Sequence, residues 1–98
     1  MLKELDTENF DNETKSGLKL VEFYTTWCGY CKKQQEELNL MDKIWIGQVD
    51  AEKSPDIASK YGVGGFPTFL ILKNGEELER FSGYRKKEEI MSRIMAHL

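Results

Sequence analysis

Leu20, Val21, Glu22, Phe23, Tyr24, then Thr25 and Thr26, then Trp27, Cys28, Gly29, Tyr30, Cys31: an apolar run broken by one acid leads straight into two cysteines three residues apart. The run begins near Leu18 and is hydrophobic at almost every position, so both of its faces must be covered, as in the middle of a parallel sheet. The Cys28 to Cys31 motif then opens a helix predicted to continue to about Leu40 or Met41. That places Cys28 at a helix amino terminus and Cys31 one turn inside.

Outward from this unit the remaining elements alternate. Leu2 and Leu5 bracket a short opening strand, after which Asp6 or Thr7 can cap a helix carrying Phe10 and ending near Ser16 and Gly17. Ile44 to Val49 reads as a third strand. Ser54 and Pro55 give a helix N-cap with proline at the first helical position, and Gly62 stops that helix. Phe69 to Leu72 and Leu78 to Phe81 flank Asn74 and Gly75, the strongest two-residue signal for an antiparallel hairpin. Ile90, Met91, Ile94, Met95 and Leu98 fall on one stripe of a final helix, which assigns both methionines to the core. The order predicts an α/β sheet with parallel strands first and an antiparallel pair at the end.

Cys28 and Cys31 are the only cysteines. At this spacing a thiolate can attack an outside disulfide and hand the bond to its neighbour. A disulfide closing so small a loop constrains the unfolded chain little, so it is a poor structural staple. The alternatives are two buried structural thiols or half of a zinc site. Tetrahedral zinc wants four ligands, and the single histidine, His97, is far away in sequence with no obvious partners.

Ninety-eight residues, 40% hydrophobic, suit one domain spanning 1–98. With 14 basic and 17 acidic side chains interspersed, the chain has no basic stripe, which argues against nucleic acid as a partner. Charges at Lys3, Glu4 and Asp6 break any secretory apolar stretch, and no run approaches the ~20 residues of a membrane span. The expectation is a soluble protein of a reducing compartment, the cytoplasm, where a lone dithiol can cycle.

The element order, Trp27 through Cys31, the stretch Tyr61, Gly62, Val63, Gly64, Gly65, Phe66, Pro67, Thr68 and the hairpin Lys73 to Glu76 together resemble the thioredoxin family over nearly the whole chain. The resemblance implies a central mixed sheet of about five strands with flanking helices on both faces. It makes Cys28 the exposed attacking thiol, Cys31 the buried resolving thiol, and Pro67 a cis-proline whose loop faces the sulfurs. Trp27, Gly29, Tyr30, Phe66, Pro67 and Gly83, with Tyr84, would surround them as a substrate platform.

The departures from that family are specific. Glu22 stands where aspartate is usual, under the site, where it would move protons for Cys31; a carboxylate in an apolar strand is costly to bury charged, so its pKa should be raised. The lysine that often neighbours this acid is expected to be replaced by Ile46. Tyr30 replaces a proline, leaving a backbone N–H free for the Cys28 sulfur. Lys32 to Glu36 lack the usual helix-kinking proline.

Implied by the resemblance is a monomeric protein-disulfide reductase with no bound cofactor. It would be recharged by a partner thioredoxin reductase of the flavin and NADPH type, or by a ferredoxin-linked one, and its substrates would be disulfide-containing proteins. The rivals are an oxidase or isomerase of the same fold, since Gly-Tyr also occurs between isomerase cysteines, and a non-enzymatic partner subunit.

Overall fold

The computed structural model describes residues 1–98. Strands β1 (Leu2–Leu5), β2 (Leu18–Tyr24), β3 (Ile46–Asp50), β4 (Thr68–Lys73) and β5 (Glu76–Ser82) alternate with helices α1 (Phe10–Thr14), α2 (Gly29–Asn39), α3 (Pro55–Lys60) and α4 (Lys87–Met95), β4 and β5 being consecutive. The strands form one sheet in the order β1-β3-β2-β4-β5, so the strand that feeds the cysteines lies at its centre. β1 and β2 run parallel to β3, while β2–β4 and β4–β5 are antiparallel.

Period-two alternation along β2 splits the core between the two faces of the sheet. Val21 and Phe23 join Leu5, Phe10, Val49, Ile57, Ala58, Leu70 and Leu72 under α1 and α3. Leu20 joins Leu38, Met41, Ile46, Phe69, Ile71, Phe81, Ile90 and Ile94 under α2 and α4. Glu22 and Gln48, two residues on from Leu20 and Ile46, belong to that second face. Both therefore lie on the side covered by the cysteine-bearing helix.

Three local readings need correction. α1 starts at Phe10, later than a cap at Asp6 would place it. Asp6 Oδ1 instead accepts from the backbone N–H groups of Glu8 and Asn9, making a turn that precedes the helix. β3 starts at Ile46, two residues after Ile44. In α4 Ile90 and Ile94 are buried and Met91 packs half-buried against them, whereas Met95 and Leu98 are 60% and 86% exposed and lie outside the core. The hairpin forms as read: Asn74 and Gly75 have φ of +52° and +83°, both positive as a type I′ turn requires.

Gly47 in β3 is fixed by close approach. A Cβ there would lie 2.5 Å from Leu5 Cδ1 and 2.9 Å from Trp45 Cη2. Leu5 is fully buried and has no free direction in which to swing. Gly47→Ala should therefore lower stability by about 1–3 kcal/mol, the usual cost of overpacking a filled interior. Urea unfolding with an unchanged midpoint would mean that Leu5 and Trp45 yield at no cost.

Candidate active site

β2 delivers the chain to the cysteines through Thr25, Thr26 and Trp27, and α2 begins immediately after Cys28. Cys28 is the N-cap, in an extended conformation, and its Sγ accepts the Cys31 backbone N–H at 3.1 Å. This is a capping bond made by sulfur where serine or aspartate is usual. The N–H that reaches the sulfur is thus Cys31's; the donor expected from Tyr30 does not fill that role. On its other side, the Cys28 thiol donates to the Phe66 carbonyl oxygen at 3.5 Å.

Cys28 is not the exposed thiol the resemblance implied. It is 8% exposed against 6% for Cys31, so access alone does not distinguish the two. Their surroundings do. Burial pushes the Cys31 thiol up, its hydrogen bond with Cys28 and the negative charges of Cys28 and Glu22 add to the effect, and only a backbone contact with Thr25 opposes it. Cys31 thus holds its proton tightly, whereas Cys28 has the helix amino terminus at its sulfur.

The Phe66–Pro67 peptide is cis. Thr68 Oγ1 donates to the Gly65 carbonyl at 2.7 Å and lies 3.0 Å from Ser82 Oγ, tying the loop before Pro67 to the end of β5. The Gly83 N–H donates to the Pro67 carbonyl at 2.8 Å. Trp27 and Tyr30 are each 67% exposed. Trp27 also packs edge-on to Phe66, with ring centroids 6.4 Å apart. The structure therefore brings Trp27, Cys28, Phe66, Pro67 and Gly83 into one connected surface, with Gly29 and Tyr30 exposed beside it. Tyr84 is half-buried with Lys33 Nζ 4.5 Å from its ring centroid, which places it at the margin of that surface.

Glu22 is 1% exposed. Burial raises its carboxyl to about 7 against the hydrogen bond it accepts from Gln48, and the charge of Glu4 adds to the rise. Its cross-strand partner in β3 is Gln48; Ile46 pairs with Leu20. Gln48 Nε2 donates to Glu22 Oε1 at 3.0 Å and to Gln35 Oε1 at 2.8 Å. Glu22 Oε2 is buried without a partner. A neutral amide thus satisfies one carboxyl oxygen and leaves the other to carry or release a proton.

Sequence reasoning misses Gln48 and Gln35 because no local pattern specifies the parallel register that sets Gln48 beside Glu22 or the approach of α2 that brings Gln35 to it. No group of three or more His, Cys, Asp or Glu side chains is placed to hold a metal ion, and no helix is long and apolar enough to cross a membrane.

Two thiols at the start of a helix, a carbonyl loop against the first and a buried acid affecting the second define a dithiol-exchange site at the end of a mixed α/β sheet. The sequence profile of the thioredoxin family matches residues 1–96. Thioredoxin of Listeria monocytogenes is 38% identical over 97 residues, covering 92% of each chain. Probable protein disulfide-isomerase A4 of Caenorhabditis elegans is 40% identical over 96 residues, which are 89% of this chain and 15% of that one. The crystal structure of a thioredoxin from Nicotiana alata superposes with a TM-score of 0.88 at 31% identity, covering 98% of this chain and 91% of that one. The chain belongs to the thioredoxin family, and it is a protein thiol-disulfide oxidoreductase.

Proposed function

We propose that the protein works in the reducing direction, with Cys28 as the attacking thiol and Cys31 as the resolving one. The observation that carries this reading is the asymmetry of the pair: Cys28 Sγ caps α2 and receives the Cys31 N–H, while Cys31 is pushed toward its protonated form. The Cys28 thiolate attacks one sulfur of a substrate disulfide; that S–S bond breaks and the other substrate sulfur leaves as a thiolate that takes up a proton. Cys31 then gives up its proton and attacks Cys28 Sγ. The mixed disulfide breaks, the second substrate thiol departs, and Cys28 and Cys31 are left oxidised.

Glu22, through its unpartnered Oε2, accepts the Cys31 proton in this scheme. Trp27, Gly29, Tyr30, Phe66, Pro67 and Gly83 contact the substrate chain. Thioredoxins as a family act on disulfide substrates and are recharged by a reductase. A flavin- and NADPH-dependent thioredoxin reductase is the proposed donor here, acting on a monomer in the cytoplasm with no cofactor held by the chain itself.

In the reduced protein near neutral pH, iodoacetamide should modify Cys28 at least about tenfold faster than Cys31, because alkylation follows thiolate fraction and the exposures are alike. Peptide mapping after brief labelling measures this, and equal rates would reverse or erase the assignment. The likeness to an isomerase domain keeps the oxidising direction as a second reading. Equilibrating the Cys28–Cys31 pair with a glutathione redox series separates the two: a pair oxidised only at the oxidising end behaves as an oxidant, and one oxidised at reducing poise behaves as a reductant.

A further inference from the structure

Gln34 is completely buried in α2, three residues after Cys31, and the exchange chemistry makes no use of it. An amide in an apolar interior is costly unless its atoms are paired. Gln34 is paired at both ends with one residue: its Nε2 donates to the Arg85 carbonyl at 2.8 Å and its Oε1 accepts the Arg85 N–H at 2.8 Å. The side chain thus gives Arg85 the two bonds that a neighbouring strand would give it.

Two more residues of the same helix hold the same segment. Glu37 Oε1 accepts the Lys87 N–H at 2.7 Å, and Lys33 lies over the Tyr84 ring. The far side of the segment is held by the Gly83 N–H on the Pro67 carbonyl. The connection from β5 to α4 is therefore fastened between the helix that carries the sulfurs and the loop that faces them.

We infer that Gln34 is a positioning residue for protein substrates: by clasping Arg85 it holds the Gly83–Tyr84 edge at a fixed height beside Cys28, ready for an extended peptide flanking a disulfide. This rests on the reading of Gly83 and Pro67 as substrate contacts. Gln34 touches neither sulfur, so a disulfide too small to reach Gly83 should not depend on it. Leucine at this position would keep the volume and the apolar contacts but leave the Arg85 N–H and C=O unpaired, freeing the edge to move.

The test compares insulin with the small disulfide 5,5′-dithiobis(2-nitrobenzoate), using the whole chain and its Gln34→Leu and Gln34→Glu variants. With Gln34→Leu, KM for insulin should rise about tenfold, while kcat and the rate with the small disulfide change less than about twofold. With Gln34→Glu, KM for insulin should fall toward the parent value as the pH is lowered through roughly 7 to 5. Only the protonated acid both accepts from the Arg85 N–H and donates to its carbonyl. A folded Gln34→Leu variant with parental KM for insulin, or with both substrates slowed alike, overturns the inference. Should Gln34→Leu not fold, a pH-independent KM in Gln34→Glu overturns it instead. A parent chain that reduces neither substrate would sink the reading of the site itself, and that outcome is distinct from a failure of the clasp.

Discussion

A Cys31→Ser variant should accumulate as a covalent mixed disulfide with its protein substrate, and its multiple-turnover reduction of insulin should fall by at least about 10³-fold. The loss is that large because resolution is intramolecular. Cys31 sits one helical turn from Cys28, its N–H already on the Cys28 sulfur, and an attack pre-positioned in this way has an effective concentration that no free thiol in solution matches. Serine keeps the size and the helix but cannot form the second sulfur–sulfur bond. Since Cys28 remains, the first attack proceeds and stops there. Mass spectrometry of the trapped adduct checks the step directly: it should appear with Cys31→Ser and be absent with Cys28→Ser. Adduct formation through Cys31 in the Cys28→Ser variant would reverse the roles, and undiminished turnover by Cys31→Ser would mean that another thiol resolves the intermediate.

The placement of Cys28 at the start of α2, on which this expectation rests, could be read from the sequence because it depends on local geometry. The hydrophobicity of Leu18 to Tyr24 on both faces, broken only at Lys19 and Glu22, pointed to a central strand, and the Cys28 to Cys31 motif that follows pointed to a helix start with Cys28 at its cap. Asn74 and Gly75 likewise fixed the hairpin by backbone chemistry alone. What the sequence hid depends on register between strands that are distant along the chain. Gln48 meets Glu22 across a parallel pair whose alignment no local pattern specifies. Gln34 was hidden for a different reason. A polar residue between Lys33 and Gln35 reads as a solvated helix face, and only the arrival of Arg85, 51 residues later in the chain, makes it an interior group. The shielding of Cys28 was missed in the same way, since it comes partly from the Phe66 carbonyl in a distant loop.

Glu22→Gln is expected to separate two consequences of one buried carboxyl. The folded pKa is raised to about 7 from an ordinary value of 4.5. Below pH 4.5 the acid is protonated in both folded and unfolded chains and contributes no pH-dependent difference. As the pH rises, the unfolded chain releases its proton first while the folded one still holds it, so stability is lost progressively until the pH passes about 7. The loss amounts to about 3 kcal/mol, given that a tenfold difference in proton affinity between the folded and unfolded chains is worth about 1.4 kcal/mol. Glutamine has no proton to lose. Relative to its value at pH 4.5, the stability of Glu22→Gln should therefore gain about 3 kcal/mol on the parent by pH 8, whatever constant offset its unpaired amide introduces. Activity should move in the opposite direction. In the proposed scheme the carboxylate that costs stability is the base that takes the Cys31 proton, and removing a general base lowers a step by about 10²-fold or more. In single-turnover experiments, release of the preformed mixed disulfide should slow accordingly, and its rate should lack the inflection near pH 7 expected of the parent. Urea unfolding across pH 4.5 to 8, run beside the release kinetics, decides the matter. Parallel stability curves for parent and variant would show that Glu22 titrates as an ordinary surface acid, and an unchanged release profile would remove it from the proton path.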